Sequence, residues 1–183
     1  MSNTAKTKTI AVECGYFTDP GRDPDKQVNE DSGRHGPTPR GYLAVVCDGM
    51  GGHDAGEVAS ALAVEAITAF IRRSAADTDF SWPYGIDRSL SYDANRLRTA
   101  IHLANRRIFR TAESNDDYNG MGTTIVGALI NGSRMAVAHV GDSRVYVVRG
   151  GAAYQLTEDH SLARDLVARG VISAEEAERY AHN

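Results

Sequence analysis

Cysteine is scarce: only Cys14 and Cys47 occur among 183 residues, so no disulfide framework can carry the fold. Both lie in strand-like apolar stretches and read as buried thiols rather than as a bridge. Neither has a histidine or other base close to it in sequence, which argues against a catalytic thiol. Long hydrophobic runs are missing too. The longest obvious one, Tyr42 to Cys47, is far too short to cross a bilayer, and the polar opening from Met1 to Lys8 has no apolar signal core. The expectation is a soluble, cytoplasmic protein. There is no excess of basic charge: 20 Lys and Arg stand against 24 Asp and Glu, a formal net charge of −4. That balance offers no footprint for nucleic acid and no polybasic anchor for anionic lipid. No internal repeat or low-complexity segment is visible. A hydrophobic content of 42% suits a single domain over 1–183 with a real core.

Local pattern then supplies the elements. Thr9 to Phe17, rich in β-branched and aromatic residues and followed by Asp19-Pro20-Gly21, reads as a strand and a loop. Tyr42 to Cys47 is apolar at almost every position, the pattern of a strand buried on both faces. Gly56 to Arg73 has helical spacing, with Val58, Leu62, Ala66 and Phe70 on one face. After a connecting loop from Ser74 to Tyr92, Asp93 to Glu113 resumes it with Leu97, Ile101, Ala104 and Ile108, and Asp93 is a candidate N-cap. Beyond the polar break Ser114–Gly120, Thr123 to Ile130 and Met135 to His139 flank Asn131-Gly132, a hairpin signal. Val145–Val148 and Ala153–Leu156 flank Gly150-Gly151 in the same way. Ser161 to Arg169 reads as a short helix stopped by Gly170, and Ser173 with Glu176 as a capping box for a last one. Strands arranged in runs, rather than alternating with helices, point to antiparallel sheet layered with helices, an α+β fold.

The most informative segment is Asp48-Gly-Met-Gly-Gly-His-Asp-Ala-Gly-Glu57, a carboxylate at the end of an apolar strand followed by a glycine-rich turn into a helix. Such turns cradle phosphate on backbone amides, but Asp48 repels an unaccompanied phosphate. A hard divalent cation resolves the conflict, because Mg²⁺ or Mn²⁺ takes carboxylate, carbonyl and water oxygens and carries phosphate as a remaining partner. A nucleotide site at Gly49 to Gly56 is the weaker reading, since the segment lacks both the Gly-Lys-Ser/Thr ending of a P-loop and the glycine spacing of a dinucleotide fingerprint. Further acids punctuate strand ends or turns at Glu30-Asp31, Asp142 and Asp159. For each one alone, a turn or cap role is the plain alternative.

Together these residues carry a resemblance. Val28-Asn29-Glu30-Asp31-Ser32, Asp48-Gly49-Met50-Gly51-Gly52-His53 with Gly56-Glu57 and Ala59-Ser60, Met121-Gly122-Thr123-Thr124, Val140-Gly141-Asp142-Ser143-Arg144 with Tyr146, and Leu156-Thr157-Glu158-Asp159-His160-Ser161 are similar, in order, to the motifs of the bacterial metal-dependent protein phosphatases of the PP2C (PPM) family. The tail with Gly170 and Glu175-Glu176 resembles the family's flap. The resemblance implies an α-β-β-α sandwich of antiparallel sheets flanked by helices, with two Mg²⁺ or Mn²⁺ ions at one sheet edge and a third, weaker site. It implies hydrolysis of phosphoserine and phosphothreonine in proteins, opposing a bacterial Ser/Thr kinase. Asp48 matches the carboxylate that bridges two metals, Gly49 the backbone carbonyl on the second, and Glu30 and Asp31 the acidic pair beside them. Asp142 and Asp159 match the third site, although Asp142 also reads as holding its own turn or pairing with Arg144. Two ions roughly 3.5 to 4 Å apart would acidify a bridging water, hold the phosphate and support in-line displacement without a covalent phosphoenzyme.

Three departures accompany the match. Lys26 stands where the family usually has an arginine on the substrate phosphate; it gives a point charge rather than a bidentate fork, or is a solvated loop lysine. Met50 stands where many relatives carry a histidine proposed as general acid, which leaves His53 as the nearby substitute or as a turn residue. An Asp-Gly pair and an Asp-Asn pair that complete the family's metal sites are absent by Asn183. The expectation is thus a domain without its last strands, either a truncated phosphatase or a catalytically impaired, phosphoprotein-binding module.

Overall fold

A computed structural model of the protein describes residues 11–22, 28–51, 55–77, 80–160, 166–167, 169–173 and 175–177. Its strands are β1 (Asp31–Thr38), β2 (Gly41–Met50), β3 (Gly122–Thr123), β4 (Ile125–Asn131), β5 (Arg134–Val140), β6 (Tyr146–Arg149) and β7 (Ala152–Gln155). Two long helices, α1 (Ala55–Ala76) and α2 (Tyr92–Ser114), and a single 3₁₀ turn at Asp116–Tyr118 stand between β2 and β3. The main sheet has the order β1-β2-β4-β5, with β3 extending the end of β2, while β6 and β7 form a separate two-stranded ribbon. Every pairing is antiparallel. The expected antiparallel α+β architecture is therefore the observed one.

The core lies between the helix pair and one face of the sheet. Strand alternation turns Leu43, Val45 and Cys47 of β2 and Ile125 and Leu129 of β4 toward the helices, where all are buried. Their alternates, Ala44 and Val46, lie on the other face, and Val46 is 42% exposed. The expectation that β2 is buried on both faces is thus corrected: α1 and α2 occupy one side only.

Helix α1 begins one residue before and ends three residues after its expected bounds. Its contact face is not centred on Val58, Leu62 and Ala66, which are partly buried at the margin of the core. The residues fully out of solvent are Ala59, Ala63, Ile67 and Ile71. Small alanines at closest approach let α1 lie against both β2 and α2, and they carry too little hydrophobicity to dominate a pattern read from sequence. In α2, Leu97, Ala104 and Ile108 are buried as expected, joined by Ala100, with Ile101 partly exposed. The N-cap is Ser91, whose hydroxyl accepts from the Ala94 amide at 3.1 Å, and not Asp93. Asp93 instead pairs, inside the first turn, with Arg96. Arg96 is buried, donates to the Ser74 carbonyl and lies over the Tyr92 ring. Buried Asn95 organises the preceding loop by accepting from the Asp87 amide and donating to the Asp87 and Ser91 carbonyls.

Residues 11–17 have no regular secondary structure, which corrects the strand expected over Thr9 to Phe17; Thr9 and Ile10 lie outside the described residues. Strand propensity needs a partner. This segment is instead fastened by side chains, with Tyr16 packed over Gly33 and the Asn29 amide donating to the Thr18 hydroxyl. Cys14 is accordingly exposed and not buried, whereas Cys47 is buried as expected. The β4–β5 hairpin forms one residue later than read, with Gly132 and Ser133 between the paired Asn131 and Arg134, and Gly150-Gly151 connect β6 to β7 as read. Most of the expected Ser161–Arg169 helix lies outside the described residues, but its end is defined. The Gly170 amide donates to Val167 and the Val171 amide to Leu166, the paired closure of a glycine-terminated helix. Ser173 and Glu176 form the expected capping box, amide to carboxylate at 2.8 Å and amide to hydroxyl at 3.1 Å.

Two outcomes follow. Ile67→Ala, at a position 1% exposed, lowers unfolding free energy by about 2–5 kcal/mol in a denaturant titration. Hydrogen bonds from the Ser173 amide and then its hydroxyl hold Glu176 below the usual carboxylate range. The capping box therefore contributes above that range and loses its contribution as pH falls through the lowered value, which an NMR titration of the Ser173 amide reports.

Candidate active site

Strand register creates the site. Asp31 opens β1 and Asp48 lies near the end of β2, and the antiparallel pairing sets them directly opposite each other. Opposed residues on neighbouring strands are about 4.5–5.5 Å apart on the same face, where like charges repel. Because Cys47 turns inward, Asp48 turns to the face away from the helices, and Asp31 shares that face. Both are exposed.

The backbone around this pair is tied closely. The Asp31 amide donates to the Asn29 side-chain oxygen at 2.9 Å. The Asp48 amide donates to the Thr124 hydroxyl at 3.1 Å, and the Asp48 carbonyl accepts from the Thr124 amide at 2.8 Å and the Thr123 hydroxyl at 2.9 Å. The Gly49 amide donates to the Glu30 carbonyl at 3.1 Å. Two glycines make room for Glu30. A Cβ on Gly49 would collide with the Gly56 carbonyl and lie 2.7 Å from the Glu30 carbonyl oxygen; one on Gly56 would lie 2.8 Å from the Glu30 carboxyl carbon. The Glu30 carboxylate thus rests on the first turn of α1, whose amide end favours negative charge.

The second acidic group is joined to the first through Thr124, whose hydroxyl shares a 2.6 Å hydrogen bond with Ser143. Gly141 has φ +98°, and a Cβ there would lie 2.7 Å from the Thr124 methyl, so the loop carrying Asp142 packs directly against the residue that fixes Asp48. Asp142 is exposed. Arg144 is not its partner: the guanidinium grips Asp159 through Nε–Oδ1 at 2.8 Å and Nη2–Oδ2 at 2.6 Å. Those bonds, then the one with Tyr146, raise the Arg144 pKa further above its already high range. Backbone and histidines lace the same segment to β5: the His160 amide donates to the Gly141 carbonyl, and the His139 ring bonds the Glu158 carbonyl at 2.8 Å. Lys26 and His53 lie outside the described residues. The roles of Thr123, Thr124 and Ser143 escaped the sequence reading; the adjacent hydroxyls after Gly122 were the available signal.

The donor set is all oxygen: facing carboxylates of Asp31 and Asp48, the Glu30 carboxylate and the Gly49 carbonyl. Among the described residues no three His, Cys, Asp or Glu side chains gather closely enough to enclose a metal ion. An all-oxygen donor set is the kind that hard divalent cations take. A thiol mechanism is disfavoured, because burial pushes Cys47 up to about 12. Among the described residues no helix is long and apolar enough to cross a membrane.

Comparison with known proteins supplies the family. The family described as protein phosphatase 2C matches residues 22–172. The chain is 40% identical over 142 residues to the serine/threonine phosphatase stp of Listeria welshimeri, covering 74% of this chain and 50% of that protein. It is 39% identical over 135 residues to the serine/threonine protein phosphatase PstP of Mycobacterium tuberculosis, covering 74% of this chain and 24% of the relative. The chain thus spans about half the length of the Listeria relative. The crystal structure of the Mycobacterium tuberculosis phosphatase PstP/Ppp superposes with a TM-score of 0.64 at 35% identity, covering 87% of this chain and 60% of that one. Stp1 from Staphylococcus aureus superposes at 0.65, also at 35% identity, covering 92% and 64%. The members of this family are metal-dependent, and the chain belongs to the protein phosphatase 2C family.

Proposed function

We propose that the chain carries the metal-binding edge of a protein serine/threonine phosphatase that uses Mg²⁺ or Mn²⁺ and acts in the cytoplasm on phosphoproteins made by a Ser/Thr kinase. One observation carries the reading: Asp31 and Asp48 face each other across β1 and β2, an arrangement that a divalent cation between them relieves. In this reading 1–183 forms part of a single catalytic domain.

Asp48 would hold both cations, Asp31 and Glu30 would ligate or orient the water around them, and the Gly49 carbonyl would complete one site. When bound, the cations supply the charge that acidifies water and neutralises the phosphoryl oxygens. The chain's own contribution is position: Thr124 and Thr123 fix the Asp48 backbone, and Gly56 leaves space for Glu30. Asp142 would belong to a third, weaker site. Asp159 reaches such a site only in competition with Arg144, which grips it. Lys26 would attract the phosphate and His53 would donate a proton to the leaving oxygen.

A second reading, a phosphoprotein-binding module without turnover, is favoured by the Arg144 guanidinium, which already holds Asp159, one of the acids expected at the third metal site. Hydrolysis of an aryl phosphate and a phosphothreonine peptide with Mn²⁺ separates the two. The expected result is turnover that stops with chelator and falls more than about 100-fold in Asp48→Asn, beyond the loss seen on removing an outer-shell partner of a metal ligand. Turnover indifferent to both treatments overturns the metal mechanism. Phosphopeptide binding by the folded protein without turnover selects the second reading.

A further inference from the structure

A groove of about 690 Å³ lies between α2, the turn before β3 and the ends of β2, β4 and β5. Its apolar lining includes Met50, Ile101, Ile108, Phe109, Met121 and Val140. Phe109 is 61% exposed and Met50 62%, so two large apolar side chains stand open to solvent at the groove. Met50 joins the groove to the acidic edge, because it lies on the same strand face as Asp48. Met50 follows Asp48 by two residues, roughly 7 Å along a strand. Met50 pairs with Gly122 and Gly49 with Thr123, whose hydroxyl donates to the Asp48 carbonyl. A Cβ on Gly122 would lie 3.0 Å from the Met50 methyl, so the glycine leaves this adaptable thioether room to fit different shapes.

Charge selects the occupant. Glu113 lies in the last turn of α2, which contains no basic residue and where the helix dipole adds negative potential. Asp116 and Asp117 follow at once, and all three are exposed. The groove is therefore apolar with Glu113 at its α2 end and two further acids close by in sequence.

We propose that this groove binds the substrate polypeptide, taking a large apolar side chain two positions from the phosphorylated residue and a Lys or Arg beyond it against Glu113. Two residues of extended peptide span roughly the same 7 Å as Asp48 to Met50, so a phosphoryl group at the carboxylates brings that side chain to the groove. The inference rests on the phosphatase reading and adds a sequence preference to it.

The test uses the protein as its gene encodes it, with Mn²⁺, an aryl phosphate, and phosphothreonine peptides bearing leucine or alanine two positions before or after the phosphoresidue and arginine beyond. The expected result is a kcat/KM about tenfold higher for leucine than for alanine at one of the two positions. Phe109→Ala, a surface change whose folding is checked by its melting temperature, should erase that preference and lower the ratio of peptide to aryl phosphate turnover. Equal rates for leucine and alanine at both positions, or a preference that survives Phe109→Ala, overturn the proposal. If the aryl phosphate is not hydrolysed, the phosphatase reading fails by itself. The groove is then judged by fluorescence anisotropy of the labelled leucine peptides, and an affinity unchanged by Phe109→Ala overturns it.

Discussion

The register that sets Asp31 opposite Asp48 is the constraint around which this chain is arranged. Two carboxylates on directly opposed positions of an antiparallel pair oppose the register that holds them, so that register must be secured from elsewhere. It is secured by parity. Leu43, Val45 and Cys47 fill the interface with the helices, and sliding β2 by one residue would drive Asp48 into that interface and Cys47 out of it. Hydrophobic burial on one face thus brings two carboxylates together on the other.

What could be read in the sequence was what local chemistry decides. The connection at Gly150-Gly151 and the reciprocal Ser173–Glu176 cap each depend on residues within a few positions of one another. The partnership of Asp31 with Asp48 was not legible in this way. Resemblance grouped them, but only long-range pairing makes them neighbours. The same limit explains the errors. Thr9 to Phe17 has the composition of a strand yet finds no strand partner among the described residues. Helix α1 buries small alanines more deeply than Val58 or Leu62 because it contacts two surfaces at once. Arg144 was read against the nearer Asp142 when the acid that reaches it comes from fifteen residues further on.

The Arg144–Asp159 pair is better understood as a clasp than as a store of stability. Its side chains are 48% and 27% exposed, and ion pairs in such surroundings contribute about 0–1 kcal/mol. Its bidentate geometry nonetheless fixes the segment after β7 against the loop after β5, where the His160 and His139 bonds also act. A carboxylate gripped in this manner is already neutralised.

Thr124 joins the two groups of acids, and it does so with both halves of its side chain. The hydroxyl receives the Asp48 amide and shares a proton with Ser143, while the methyl fills the space that Gly141 leaves open. Serine would keep the polar half and open a gap; valine would keep the shape and strand two polar neighbours. Threonine alone among the twenty amino acids satisfies both demands, so this position is as chemically exacting as the acids it joins.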